Sequence, residues 1–187
     1  MTESNSFGIK KLIQRTFAVL TACFLVLLGF YLSLIVSADR LLPDEKKTVS
    51  NAVTILESRG FVNDVVLLKH FAALRRNDNW LNASVLKENA YAATNFPFGV
   101  ITLYPDFFEF TTDDVERAAI LLHESRHLLG DNEKEAYTYV WKNRKKLGWT
   151  KDAYAGSIVW QNVRKQTKEY APELFICDFN AFGDCTE

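Results

Sequence analysis

The chain has 187 residues, of which 48% are hydrophobic and 24% charged, so its length suits one domain with a short additional segment. This much apolar surface excludes a disordered chain, and eight glycines with four prolines exclude collagen-like and low-complexity sequences. The formal net charge of -1 provides no electrostatic basis for binding nucleic acid, and three cysteines are too few for a disulfide-built scaffold.

The N-terminal part of the chain contains a long apolar run. Residues 17–36 read FAVLTACFLVLLGFYLSLIV and carry no charge. A helix of this length spans about 30 Å, the thickness of the bilayer hydrocarbon. Three basic residues precede the run: Lys10, Lys11 and Arg15. By the positive-inside rule, we predict a cytoplasmic stub and a single-pass signal anchor over residues 1–38, followed by a periplasmic or extracellular domain over residues 39–187.

Two processing alternatives stay open at this point. Val36-Ser37-Ala38 offers small residues for a signal peptidase, but the apolar run is longer than a usual signal-peptide core and favours an uncleaved anchor. Cys23 resembles a lipidation site, although an apolar segment follows it instead of a polar linker. Each alternative places the domain outside the cytoplasm, where Cys177 and Cys185 could form a disulfide that closes a small loop.

The sequence of residues 39–187 predicts an α+β fold that is rich in helices and has a small sheet. Spacing of apolar residues and turn signals predict helices over 44–58, 64–76, 115–129, 133–147 and about 151–169, and a strand over 98–104. Residues 107–110 either extend this strand or bend away from it. Thr111 with Asp114 approximates a capping box for the third helix, Asp131 or Asn132 caps the fourth, and Gly130 and Gly148 end these two helices.

The chemistry of the chain concentrates in one motif inside the third predicted helix. His123, Glu124 and His127 form an HExxH pattern. A spacing of four residues on a helix brings both imidazoles to one face, as two ligands of a tetrahedral Zn²⁺ require. Glu124 would lie beside the ion, where it could take a proton from the attacking water. The preceding turns, Ala118 to Leu122, are apolar and suit a buried helix.

A zinc site of this kind needs a third ligand, which the next helix can supply. Glu133 and Glu135 follow the turn at Gly130, and the first residues of a helix that returns from this turn would face the metal. We expect Glu133 to be the ligand and keep Glu135 as the alternative.

These residues resemble the zincin superfamily of metallopeptidases, and more loosely the gluzincins, with a short spacer to the third ligand. Glu133 falls where metzincins place a His or Asp, but the only methionine is Met1, so the Met-turn of that clan is missing. The resemblance covers about residues 98–147 and implies an active-site helix beside a small sheet whose edge strand receives an extended substrate. By this analogy, residues 98–104 are the expected edge strand.

The resemblance implies a membrane-anchored zinc hydrolase, with a peptide or protein as the expected substrate. A further donor would stabilise the oxyanion, and the candidates are Tyr137, Tyr139, Tyr154 and His70, although the apolar run around His70 favours a buried structural histidine. Two alternatives remain: a tethered binding or assembly protein without turnover, and a hydrolase of a non-peptide substrate such as a cell-wall amide.

A basic cluster is expected on a solvated helix face, or against lipid headgroups: Lys142, Arg144, Lys145, Lys146 and Lys151.

Overall fold

The structure is a computed structural model that describes residues 3–84, 90–179 and 183–186, with side chains from residue 9 onward. Within these ranges it contains eight α-helices: α1 (Glu3–Ser37), α2 (Pro43–Ser58), α3 (Val62–His70), α4 (Pro105–Glu109), α5 (Asp114–His127), α6 (Glu133–Leu147), α7 (Lys151–Tyr154) and α8 (Ile158–Tyr170). It also contains three strands: β1 (Ala73–Arg76), β2 (Ala92–Asn95) and β3 (Val100–Leu103). The predicted class, α+β with many helices and a small sheet, is confirmed.

Helix α1 contains the whole predicted apolar run. Its segment Ile9–Ser37 is long and apolar enough to cross a membrane, with a mean hydropathy of 2.6 and little of its surface buried. The last turns contact the rest of the protein, where Leu34 is fully buried. Helix α1 therefore leads directly into the folded part of the chain.

The three strands form one sheet in the order β1-β3-β2. Strand β1 pairs in parallel with β3, and β2 pairs antiparallel with it. The strand predicted over 98–104 is present as β3, but it is the central strand, so the expectation that it forms the edge was wrong. Residues 107–110 bend away, because Pro105 begins the short helix α4.

The predicted helix over 64–76 is only partly correct. Helix α3 ends at His70, and residues 73–76 form β1. The sequence Ala-Leu-Arg-Arg favours a helix locally, but the parallel ladder with β3 overrides this preference.

Helices α5 and α6 pack against each other. Helix α5 contacts α2, α3, α6 and β2, and its apolar turns from Ala118 to Leu122 are buried as predicted. Within the predicted capping segment of residues 111–114, Asp113 caps α5, because its carboxylate accepts hydrogen bonds from two backbone amides of the first turn; the approximate capping box of Thr111 with Asp114 is not the cap. Gly130 follows α5 with a φ of 86°, a left-handed conformation that favours glycine and turns the chain towards α6.

The C-terminal part begins with a broken helix. The predicted helix over about 151–169 is divided into α7 and α8, because Ser157 caps α8 at its first turn. After α8, Cys177 and Cys185 form the predicted disulfide. The tail is also held by a buried ion pair between Arg144 and Asp184, with 3.1 Å between the charged groups.

Candidate metal site and its cleft

Helices α5 and α6 bring three metal-ligating side chains together. His123 and His127 lie one turn apart on α5, and their Nε2 atoms are 3.0 Å apart. Glu133, the first residue of α6, places Oε2 3.3 Å from Nε2 of His123 and Oε1 3.5 Å from Nε2 of His127. Among the described residues, this is the group of His, Cys, Asp and Glu side chains that could hold a metal ion. These are the three side chains that the sequence predicts as ligands.

The separations of the three donors suit a small tetrahedral ion. Four ligands at 2.0–2.1 Å around zinc lie roughly 3.3 Å from one another. The three observed separations, 3.0, 3.3 and 3.5 Å, lie on either side of this value. Two imidazole nitrogens and one carboxylate are also a donor set that zinc accepts in three-ligand sites with a fourth position open. The residues present therefore fit zinc.

The charges of the cluster favour a cation. Two imidazoles that face its carboxylate hold the pKa of Glu133 far below its usual range. Burial lowers the pKa of His127, but Glu133, Glu124 and the carbonyl of Asp131 outweigh this effect and raise it to about 9. In the absence of metal, His127 thus carries a proton beside Glu133, and a bound divalent cation would replace that proton.

Residues outside the cluster fix the orientation of His127. Its Nδ1 lies 2.8 Å from the carbonyl oxygen of Asp131. Oδ2 of Asp131 in turn accepts a hydrogen bond of 2.8 Å from Nε of Arg126 and forms an ion pair with its Nη2 at 2.7 Å. Such outer contacts set which ring nitrogen is available to a metal. For His123, Nδ1 is buried and has no hydrogen-bond partner among the described residues.

Glu124 lies in the same cleft as the three donors and is 4% exposed. Its Oε2 accepts a hydrogen bond of 2.7 Å from the hydroxyl of Thr94 on β2. Within the described part of the chain, Oε1 accepts no hydrogen bond. The carboxylate is therefore held at one oxygen and available at the other.

The donors line a cleft of about 640 Å³ between β2, α5, α6 and α8. Of the four residues proposed to stabilise an oxyanion, only Tyr137 lines it. Its ring lies 4.3 Å from that of His123, and its hydroxyl donates to Gln166 at 2.7 Å. Burial, together with the charges of Glu133 and Glu124, raises the pKa of Tyr137 well above its usual value, so this hydroxyl stays protonated.

The other three candidates lie elsewhere. The hydroxyl of Tyr139 donates to Asp64, and that of Tyr154 donates to Asp113 at the start of α5. His70 is exposed at the end of α3, so the expectation of a buried histidine was wrong.

Glu135, the alternative ligand, belongs to the cap of α6. Its Oε2 accepts from the backbone amide of Asn132 at 2.9 Å, while Asn132 accepts from the amide of Glu135 at 3.1 Å. This reciprocal pair is a capping box. The structure thus brings Glu133, and not Glu135, to the two histidines.

The expected solvated face is present in part, because Lys142, Lys145 and Lys146 are exposed on α6. Arg144 is buried against Asp184. Lys146 donates to the carbonyl of Gly60 at 3.1 Å and lies 4.1 Å from the centre of the Phe61 ring. These two side chains hold elements together instead of presenting charge to a lipid surface.

The sequence interpretation missed several residues that shape the site. Thr94, Asp131 and Tyr91 all line the cleft, and the side chain of Arg126 holds Asp131. The sequence carried a signal for one of them, because Asp131 is four residues after His127, in the turn that must lead to Glu133. Thr94 could not be found in this way, because β2 has no clear strand pattern.

No family model, curated protein or solved structure matches this chain in comparisons with known proteins. The zincin resemblance therefore depends on the motif and on the residues described above.

Proposed function

We propose that this protein is a membrane-anchored, zinc-dependent hydrolase of amide bonds, with peptides or proteins as substrates. The observation that carries this proposal is the convergence of His123, His127 and Glu133, whose donor atoms are 3.0–3.5 Å apart, beside the buried carboxylate of Glu124 in one cleft. A structural metal site would not need a carboxylate held next to the ligands with one oxygen available.

His123, His127 and Glu133 would hold the ion. When bound, zinc supplies Lewis acidity, which makes water more acidic and polarises a carbonyl group. The chain's own part in the reaction is proton transfer by Glu124. Its Oε1 would accept a proton from the attacking water and return it to the nitrogen of the leaving amine, while Thr94 keeps Oε2 in place.

The shape of the cleft supports a polypeptide substrate. Strand β2 borders the cleft through Ala92, Ala93 and Thr94, and it pairs only with β3 among the described strands. Its other edge can therefore form backbone hydrogen bonds with an extended peptide. In this proposal, β2 is the edge strand that receives the substrate, a role that the zincin resemblance assigned to residues 98–104.

The proposed location follows from α1 and from the cysteines. The three basic residues before the apolar run favour an N-terminus in the cytoplasm and a domain on the other side of the membrane. A disulfide between Cys177 and Cys185 agrees with an oxidising compartment. Single-pass topology with an extracytoplasmic domain is thus part of the proposal.

The test is the Glu124→Gln variant of the full chain, loaded with zinc in lipid nanodiscs. We expect it to retain zinc and to hydrolyse peptide libraries about 10²- to 10⁴-fold more slowly than the wild type. Glu135→Gln is the matched control and should keep full activity, because glutamine can accept the same capping hydrogen bond from the amide of Asn132 and this side chain is not one of the three donors. Undiminished hydrolysis by Glu124→Gln would contradict the proposal.

Parallel assays with cell-wall fragments distinguish the remaining alternatives. Cleavage of such fragments but not of peptides would retain the zinc hydrolase and reject its polypeptide substrate. A wild-type protein that binds zinc and hydrolyses neither would instead be a tethered binding or assembly protein.

A further inference from the structure

The end of α1 packs against the domain instead of leading to a flexible linker. The ring of Phe30 lies 5.4 Å from that of Trp80 and 4.8 Å from that of Phe98. The indole Nε1 of Trp80 donates to the hydroxyl of Ser33 at 3.0 Å, and Leu34 is fully buried. The position of α1 in a bilayer therefore determines the position of these domain residues.

The length of the apolar run in α1 indicates how deep Trp80 and Phe98 lie in the bilayer. The apolar run of 20 residues matches about 30 Å of hydrocarbon. Phe30 precedes the end of this run, Val36, by six residues, or about 9 Å along the helix axis. Trp80 and Phe98, which touch Phe30, must then lie in about the outer 9 Å of the hydrocarbon layer, next to the headgroups.

The surface at this level is apolar. Trp80 is 45% exposed and Phe96 is 59% exposed, while Phe98 is half-buried against α1. The other three tryptophans, Trp141, Trp149 and Trp160, are buried in the core. Tryptophan and phenylalanine side chains at a membrane–water boundary bury apolar surface, and the indole N–H keeps a polar partner.

The same surface continues into the proposed active site. Phe96 lines the cleft that holds His123 and Glu133. Its ring also lies 3.3 Å from the position that a β-carbon at Gly130 would occupy, in the turn that joins α5 to α6. One side chain therefore belongs both to the apolar surface and to the rim of the cleft.

We infer that the face formed by Trp80, Phe96 and Phe98 rests in the lipid–water interface of the bilayer that α1 spans, so that the cleft takes polypeptide substrates presented at that membrane surface. The part that concerns substrates rests on the proposed hydrolase function, whereas the membrane contact rests on α1 and these three side chains. The class of substrate would be membrane-attached polypeptides, cleaved within a few residues of their lipid or transmembrane attachment.

Fluorescence quenching tests the membrane contact. The full chain is reconstituted in phosphatidylcholine vesicles, with or without bromine atoms on the acyl chains near the headgroup. Because Trp80 is the one exposed tryptophan of four, we expect quenching of about a quarter of the emission, and bromines near the chain ends should quench less. Trp80→Phe should abolish the effect. Equal emission in brominated and ordinary lipid would overturn the inference.

Cleavage of tethered peptides tests the substrate class. A peptide with its scissile bond three residues from a lipid anchor is compared with the same peptide free in solution. We expect at least a tenfold higher rate for the tethered peptide, because attachment to the surface raises its effective concentration at the cleft. Trp80→Gln should lower this ratio without bringing it to one, because α1 still holds the domain at the membrane while the cleft is no longer set against its surface. Phe110→Gln, a control with the same 45% exposure outside the cleft, should leave the ratio unchanged.

The outcomes separate this inference from the proposed function. Cleavage of free peptides without preference for the tethered one would overturn the substrate class and leave the hydrolase standing. Quenching at Trp80 without hydrolysis of either peptide would support the membrane contact and reject the hydrolase.

Discussion

The ion pair between Arg126 and Asp131 gives a sharp test of how the candidate site is held. Its hydrogen bond from Nε and its ion-pair contact from Nη2 both reach Oδ2 of Asp131, whose carbonyl oxygen lies 2.8 Å from Nδ1 of His127. Arg126→Gln removes the guanidinium group that contacts Asp131. It leaves all three proposed metal ligands in place. The prediction is weaker zinc binding without loss of the site.

The expected magnitude follows from the position of the contact. Loss of a group that orients a metal ligand costs about 10- to 100-fold in affinity, and here the carbonyl itself remains. We therefore expect the lower value, about tenfold, which corresponds to about 1.4 kcal/mol. The pair with Asp131 is partly exposed, with side chains at 22% and 23%, so its loss should lower the free energy of unfolding by no more than about 1 kcal/mol. Loss of the longer contact with the buried carboxylate of Asp64, at 4.0 Å, adds to this cost.

Arg117→Gln is a matched control on the same helix. Arg117 pairs with Asp114 at 2.8 Å and has a similar exposure of 17%, but it lies in the first turn of α5, away from the site. Zinc dissociation constants are measured on the full chain by competition with a chelator, beside thermal unfolding of each variant. An unchanged constant for Arg126→Gln, or an equal loss for Arg117→Gln, would refute the reasoning.

Three further variants test other parts of the account. Thr94→Val removes the hydrogen bond to Glu124 and should lower kcat about tenfold with zinc content unchanged; a wild-type kcat would mean that Thr94 does not position the carboxylate. Replacing Cys177 and Cys185 with serine removes a crosslink between positions eight apart in sequence and should lower the free energy of unfolding by about 2.5 kcal/mol in denaturant titrations. Glu116→Ala leaves two buried donors, the indole of Trp149 and the hydroxyl of Ser157, without their acceptor, and should lower the free energy of unfolding by about 3 kcal/mol; a loss below about 1 kcal/mol would contradict this estimate.

The helices of the site could be predicted because their signals are local. Gly148 ends α6 with a φ of 87°, and Asn132 begins it, as the sequence indicated. The sequence also contains the information needed to choose between Glu133 and Glu135 as the third metal ligand. Asn132 followed by Glu135 has the spacing of a capping box, which assigns Glu135 to the helix cap and leaves Glu133 for the histidines.

The sheet could not be predicted in the same way, because its order depends on pairing between distant segments. β1 consists of residues that favour helices, and β2 reads Ala-Ala-Thr-Asn without alternation of apolar residues. Nothing local distinguishes a central strand from an edge strand of this length. As a result, the sequence identified β3 and missed the strand that borders the cleft.

The zinc content of the full chain tests the central claim most directly. The wild type and the variants His123→Ala, Glu133→Ala and Glu135→Ala are purified, loaded with zinc, dialysed and measured by atomic emission. We predict about one zinc per chain in the wild type and in Glu135→Ala, and little in His123→Ala or Glu133→Ala. A folded wild type that holds no zinc after loading, or a site lost with Glu135→Ala but kept with Glu133→Ala, would contradict the account.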